Sequence, residues 1–246
     1  SLSGAAAGNY AITADPTTTA NITKKVLTIT ASNDAKFAGQ TDPVGFEGVT
    51  YSGFAGSETS SVLTTAPTVT RNNASANIAG TYTGVLVPAG AAASNYSFNY
   101  VNGNFTIVPA DEMLVRLTAA TTTYGSASPV WNVSEAKYML SDGTIVNLLT
   151  TGSKTVTGDQ IQITDSAGAS ATFTVSPVSG VTSGAGKLTV GSYQLGATSV
   201  TTTNGANFNS KVNLIGSHTV NQATLSPSTT TSKTYDGSTS IAAFSF

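Results

Sequence analysis

The chain has 246 residues, enough for two ordinary domains, and a formal net charge of −2. Charged residues make up 9%, against about 25% in typical soluble domains, and no basic run occurs, which removes the attraction that drives binding to nucleic acid or to anionic membrane. Cysteine is absent, which excludes a disulfide framework, a thiol nucleophile and a cysteine-bound zinc site, and no apolar run approaches the roughly 18 residues of a membrane span.

Residues 1–25 read as the closing part of a repeat whose front lies upstream. Ala7-Gly8-Asn9-Tyr10-Ala11-Ile12 forms one strand and, beyond the bend at Asp15-Pro16, Ala20-Asn21-Ile22-Thr23 forms the next. No signal peptide is visible, so a piece of a longer exported protein is expected. The first complete unit spans 26–110. It opens on Val26-Leu27-Thr28-Ile29-Thr30, whose period-two alternation gives one apolar face and one hydroxyl face. Asn102-Gly103, between Val101 and Asn104, predicts a two-residue hairpin, because both residues tolerate positive φ. After Asn104-Phe105-Thr106-Ile107-Val108, Pro109 lacks the amide for a further ladder bond and stops the unit.

The second unit spans 111–227. Around Ser134–Leu140, Glu135, Tyr138 and Met139 have helical spacing and admit a short amphipathic turn. Asp142-Gly143 and Gly158-Asp159 mark turns, while Gln160-Ile161-Gln162-Ile163-Thr164 and Ala171-Thr172-Phe173-Thr174-Val175 alternate as strands. Residues 228–246 open a third unit that is cut off after its start. The chain reads as all-β or mostly β: tandem small β-domains in line, with little helix.

Two independent signals carry the repeat. Asn9-Tyr10, Asn95-Tyr96 and Asn207-Phe208 recur at spacings of 86 and 112 residues, and the turn glycines Gly39, Gly125 and Gly237 recur at the same two spacings. Periods of this size indicate whole domains. Pro43, Tyr82, Tyr96, Tyr124, Pro129, Tyr193, Phe208 and Tyr235 are further marks of the repeat. Tyr82, Tyr96, Tyr193 and Phe208 recur at equivalent places and are expected to be packing residues. From turn glycine to the Gly-x-Tyr mark takes 41 residues in the first unit and 66 in the second. The added length therefore lies within 130–190, where an extra hairpin is expected over Thr155–Val175.

Chemistry-bearing residues are sparse. His218, the single histidine, lies in Gly216-Ser217-His218-Thr219-Val220 with no nucleophile-elbow glycine pattern to serve, so an ordinary strand residue is expected. Carboxylates are few and scattered, which argues against a paired acid/base site. Asp159 and Asp165 are weak calcium candidates, without an Asp-rich loop around them. No catalytic residue and no cofactor is expected. Trp131, Tyr138, Tyr51 and Phe54 are aromatics not assigned to a core face; exposed, they would stack on sugar rings. For Trp131, alternation admits both core and surface. Lys24 and Lys25 beside Val26 raise a Lys–Asn isopeptide crosslink, which needs burial next to a carboxyl group.

Leu27-Thr28-Ile29, Gly39-Gln40-Thr41-Asp42-Pro43, Gly80-Thr81-Tyr82, Asn95-Tyr96 and Phe105-Thr106-Ile107-Val108-Pro109-Ala110 resemble the MBG domain of YGX type. Tyr124-Gly125-Ser126-Ala127-Ser128-Pro129 carries the YGX start more plainly, and Lys233-Thr234-Tyr235-Asp236-Gly237-Ser238-Thr239 resembles the opening of the related YDG repeat. Ala38 stands where the pattern has a tyrosine before Gly39, and the insertion in the second unit has no counterpart. The resemblance implies a large secreted bacterial adhesin of filamentous-haemagglutinin-like architecture, exported by two-partner secretion and held at the cell surface, with β-grasp-like units.

The expected function is non-catalytic: an extended stalk that contacts matrix polysaccharide or a host or neighbouring-cell surface in cell adhesion and biofilm, with no nucleic acid bound and no membrane insertion. Neighbouring repeats of the same protein are further expected partners, with head-to-tail contacts through the incomplete ends. A Thr-rich ice- or surface-binding protein is the alternative, suggested by Thr17-Thr18-Thr19, Thr121-Thr122-Thr123, Thr201-Thr202-Thr203 and Thr229-Thr230-Thr231. These triplets are expected in linkers and turns, where they would mark bends or O-glycosylation. A carbohydrate-active enzyme is the remote alternative.

Overall fold

The computed structural model describes residue 9 and residues 20–203, 207–209 and 211–224. Apart from Asn9, the expected strand over Ala7–Ile12 lies outside the described residues, as does the third unit with Tyr235 and Gly237, while residues 20–23 are irregular and form no strand.

The first unit is built from β1 (Lys25–Ala31), β2 (Asp34–Phe37), β3 (Val49–Ser52), β4 (Thr68–Arg71), β5 (Gly80–Ala89), β6 (Tyr96–Val101) and β7 (Gly103–Val108). Alternation makes each strand two-faced, and β1 buries Leu27, Ile29 and Ala31 on one side. Two sheets result. One has the order β3-β1-β6, with β1 antiparallel to β3 and parallel to β6. The other has the order β2-β7-β5-β4, with β7 parallel to β2 and antiparallel to β5.

The chain passes from β1 into β2 and from β6 into β7, so two neighbouring parallel strands cross side by side from one sheet to the other. This crossing replaces the hairpin expected at Asn102-Gly103. Val101 and Gly103 belong to different sheets, and Asn102 alone turns the corner. Gly103 is needed for space: a Cβ there would lie 2.6 Å from the Ala31 carbonyl oxygen. Backbone groups released from the ladders are met by asparagine side chains. Asn104 N–H donates to Asn33 Oδ1 at 2.8 Å, Gly84 N–H to Asn104 Oδ1 at 2.9 Å, and Asn102 Nδ2 to the Gly84 carbonyl at 3.0 Å.

The second unit contains β8 (Met113–Leu117), β9 (Ala120–Thr123), β10 (Val133–Met139), β11 (Ile145–Asn147), α1 (Leu148–Thr151), β12 (Ser153–Thr157), β13 (Gln160–Thr164), β14 (Ser170–Pro177), β15 (Gly191–Thr202), β16 (Val212–Ile215) and β17 (Ser217–Asn221). Its sheets contain β10-β8-β16 and β14-β15-β17-β9, with the same order and directions as β3-β1-β6 and β4-β5-β7-β2. The additions are β11 beside β10, the single turn α1, and the antiparallel pair β12 and β13 beside β14. Asp142-Gly143 joins β10 to β11, and Gly158-Asp159 joins β12 to β13.

Two local expectations are corrected. Ser134–Leu140 is not helical: its residues fall in or beside β10, where Tyr138 pairs with Met113 and Val146 and buries its ring, and cross-strand pairing outweighs helical spacing. Thr121-Thr122-Thr123 lies in β9 and Thr201-Thr202 ends β15, so these threonines are in strands rather than linkers. The other two triplets lie outside the described residues.

The repeat marks take equivalent places. Gly39 (φ 81°) and Gly125 (φ 87°) each follow β2 or β9 by two residues, in the left-handed region that favours glycine. The Tyr82 hydroxyl donates to the Ile78 carbonyl at 2.9 Å, and that of Tyr193 to the Thr189 carbonyl at 2.8 Å. Tyr96 and Phe208 are both buried. Buried clusters around Leu27–Ile29 and around Phe105–Ile107 belong to the first unit, and one around Val115, Ile161 and Phe173 belongs to the second. A further cluster joins them: Ala35, Phe37 and Val108 from the first unit meet Leu114, Met139 and Ile215 from the second.

Candidate functional site

The loop after each turn glycine is tied down through the residue three positions on. In the first unit that residue is Asp42, which receives Nε and Nη2 of Arg71 at 2.8 and 2.9 Å and Nζ of Lys36 at 2.9 Å. Burial opposes the Asp42 charge, but hydrogen bonds from Lys36 and Arg71 outweigh it and hold the carboxyl below its ordinary pKa. In the second unit it is Ser128, whose hydroxyl donates to Asp159 Oδ2 at 3.1 Å.

Next to the Asp42 loop lies the charged part of the junction. Arg116 Nη1 contacts Asp34 Oδ1 and Glu47 Oε1, both at 2.6 Å, Nη2 donates to the Ala35 carbonyl at 2.6 Å, and Glu135 stands 3.6 Å from Nε. Asp34 is 1% exposed and its Oδ2 has no partner among the described residues. Burial raises the Asp34 pKa despite the opposing pull of Arg116. The sequence pattern did not single out this group. Its charges come from both units and meet only after folding.

Trp131 is 5% exposed, so its face is not offered to a ligand. Its Nε1 donates to Asp159 Oδ1 at 2.8 Å, and it meets His218 edge to face with centroids 5.8 Å apart. His218 Nε2 lies 2.8 Å from Thr122 Oγ1, and burial lowers the imidazole pKa against the pull of Asp159. A cleft of about 310 Å³ opens beside this group, between the Gly125–Pro129 loop and Thr182–Leu188. The arrangement does not form a relay of nucleophile, base and acid: the Asp159 oxygens accept from Trp131 and Ser128, while His218 faces Thr122. Tyr138, 5% exposed, packs on Phe208 with centroids 5.5 Å apart.

Tyr51 and Phe54 are brought together instead, with ring centroids 5.6 Å apart. They stand on one wall of a cleft of about 850 Å³ between the units. That wall comes from the end of β3 and the loop after it, and the opposite wall from Gly191 and Ser192 at the start of β15 and from Thr219–Thr224. Ser192 Oγ reaches across to the Tyr51 carbonyl at 3.4 Å. Burial raises the Tyr51 phenol pKa, and no hydrogen-bond partner for its hydroxyl occurs among the described residues.

Residues 27–106 match the family model of the MBG domain (YGX type). The match runs from β1 into β7 and so covers the first unit, including Tyr51, Phe54 and the Asp42 loop, while Trp131, Asp159 and His218 lie beyond it. MBG domains are a non-enzymatic repeat type. Searches of curated proteins and of solved structures found no match.

Around the MBG segment the remaining candidates separate. Asp159 and Asp165 lie at opposite ends of β13, roughly 15–20 Å apart at about 3.3 Å per residue. Asp165 Oδ1 accepts from the Ala167 and Ala169 amides, both at 2.9 Å, which fixes the β13–β14 turn. No cluster of three metal-ligating side chains occurs among the described residues. Lys24 Nζ contacts the Ala93 carbonyl at 3.4 Å and Lys25 Nζ the Phe54 carbonyl at 3.0 Å, both exposed. No helix among the described residues is long and apolar enough to cross a membrane.

Proposed function

We propose that this chain is a non-catalytic segment of an extracellular bacterial adhesin, in which MBG-like units serve as a stiff spacer and touch uncharged polysaccharide along their flanks. The observation that carries this reading is one sheet order built twice in succession, with the two copies joined by the Phe37–Leu114–Met139–Ile215 cluster and by Arg116 on Asp34. A junction that combines apolar packing with a buried ion pair resists bending, as a spacer requires. The low charge of the surface disfavours nonspecific ionic capture, leaving hydroxyl and amide groups for adhesion. Extracellular placement is supported by the MBG match, and two-partner export with attachment at the cell surface is part of the proposal. Small-angle scattering from this chain with its neighbouring repeats is expected to give an elongated particle of narrow size distribution. A compact sphere would refute the spacer.

A second reading has an observation of its own. On the outer face of the second unit's large sheet, Thr155, Gln162, Thr172 and Thr201 stand side by side across four strands, as do Thr157, Gln160, Thr174 and Thr198. Such ranks suit an ordered surface such as ice. Thermal hysteresis at micromolar protein is the expected result of this reading, and its absence would exclude it.

A further inference from the structure

We infer that the cleft between the two units is the polysaccharide site of this segment, and that it takes an uncharged sugar chain lying across the junction. The inference rests on the adhesive part of the proposed function and assigns it a place.

Four observations converge on this cleft. Its volume, about 850 Å³, is near the upper end of the roughly 300–1,000 Å³ that ligand sites span, and such sites favour domain interfaces. Its aromatics are not demanded by the fold. Tyr51 pairs with Ile29 in β3-β1, and the equivalent partner of Val115 in β10-β8 is the small residue Ala136. The Tyr51 hydroxyl has no partner among the described residues, whereas the hydroxyls of Tyr82, Tyr96 and Tyr193 are all engaged. A half-buried phenol of this kind favours a hydrogen-bonding ligand.

The fourth observation sets the ligand's charge. The charged side chains on the lining are Lys25 and Glu58. Lys25 Nζ is committed to the Phe54 carbonyl at 3.0 Å, and Glu58 accepts from the Tyr96 phenol. The groups left are an aromatic pair, the hydroxyls of Ser52, Ser57 and Thr224, and the amides of Asn221 and Gln222. Aromatic faces meet the apolar faces of sugar rings, and hydroxyls and amides meet their rims. Neither a uronate chain nor a basic peptide finds a net countercharge there, because Lys25 and Glu58 are of opposite sign and offset each other.

The test titrates the whole chain with cellohexaose and chitohexaose, and with oligogalacturonate as the charged counterpart, while backbone amide shifts are followed by NMR. Shifts of residues 51–59 together with 190–192 and 219–224 are expected for an uncharged hexamer. Tyr51→Ala and Phe54→Ala are each expected to weaken that binding about tenfold or more. Tyr51→Phe, which keeps the packing ring, should retain the shift pattern at lower affinity. Binding that maps elsewhere, for example to Trp131, would overturn this location and leave the adhesive reading standing. Preference for oligogalacturonate would overturn the ligand class. No binding by any of the three would overturn the site, while the spacer reading stays with scattering.

Discussion

Phe105 in the first unit and His218 in the second occupy the same position of the shared sheet: each faces a tyrosine of the repeat, Tyr82 or Tyr193, across an antiparallel pair. Each also receives the edge of an aromatic ring at an interplanar angle of 88°, from Phe46 at 5.9 Å and from Trp131 at 5.8 Å. The fold thus asks for a ring in edge contact and leaves its chemistry open. Phe105 carries the Arg71 guanidinium 4.6 Å above its centroid. His218 needs a hydrogen bond once buried, and Thr122 supplies it. Trp131 and His218 are therefore the second unit's version of a packing pair, which is why the sole histidine and sole tryptophan adjoin without forming a reactive centre.

The strongest test of separate cores is truncation of one fully buried phenylalanine in each unit. Phe105→Ala and Phe173→Ala should each cost about 3–5 kcal/mol in chemical denaturation. Hydrogen exchange should show lost protection confined to the unit that carries the substitution. Loss spread evenly over both would mean a single cooperative core. Next in size is the junction. Arg116→Met leaves the Asp34 carboxylate buried without its cation and should cost about 3 kcal/mol, whereas Asp34→Leu combined with Arg116→Met should recover most of that loss. If the single and double variants are equally unstable, the ion pair is not what the junction depends on.

A smaller difference is expected at the two corners. Gly103→Ala would push a Cβ to 2.6 Å from a backbone oxygen, while Gly216→Ala meets the Leu117 Cβ at 3.1 Å. The first should cost about 2–3 kcal/mol and the second about 1 kcal/mol or less. Equal melting temperatures for the two variants would show that the corners are equally tight and would refute the difference.

The smallest effect is electrostatic. Burial lowers the His218 pKa below its ordinary 6.5, so the folded state favours the neutral ring. Stability from this group is full above the ordinary value and is lost as pH falls from there toward the folded pKa, because the unfolded chain takes up the proton first. The fluorescence of Trp131, as the sole tryptophan, should report the transition, and the decline between pH 7 and pH 5 should flatten in His218→Phe. An unchanged slope would assign it to another group. Asp42 and Asp34 act with opposite signs, Asp42 below and Asp34 above the ordinary carboxylate value. The lowered pKa of Asp42 makes acid destabilising, and the raised pKa of Asp34 makes acid stabilising.

Period-two alternation alone located β1, β7, β13 and β14, because the face of a strand is written in neighbouring residues. The common phase of Gly39 and Gly125 likewise predicts their matching places in the described structure. Asn102-Gly103 shows where such reading stops. The dipeptide permits a tight turn, yet whether Val101 and Gly103 pair with each other or with different sheets depends on β1 and β5, far away in the chain. The same holds for the aromatics. Trp131 and Tyr138 are covered by the insertion and by Phe208, while Tyr51 and Phe54 face a cleft that exists only where the units meet.

By itself, then, the amino-acid order determined that the chain makes short two-faced strands in repeated units with almost no helix. Strand formation and turn chemistry are local, so they survive without knowledge of the partner. Tertiary structure alone decided that Asp34 is buried against Arg116, that His218 stands in for a phenylalanine, and that Tyr51 and Phe54 line a cleft while Trp131 and Tyr138 are buried. Desolvation depends on what the rest of the molecule places alongside each group, and no nearby residue records it.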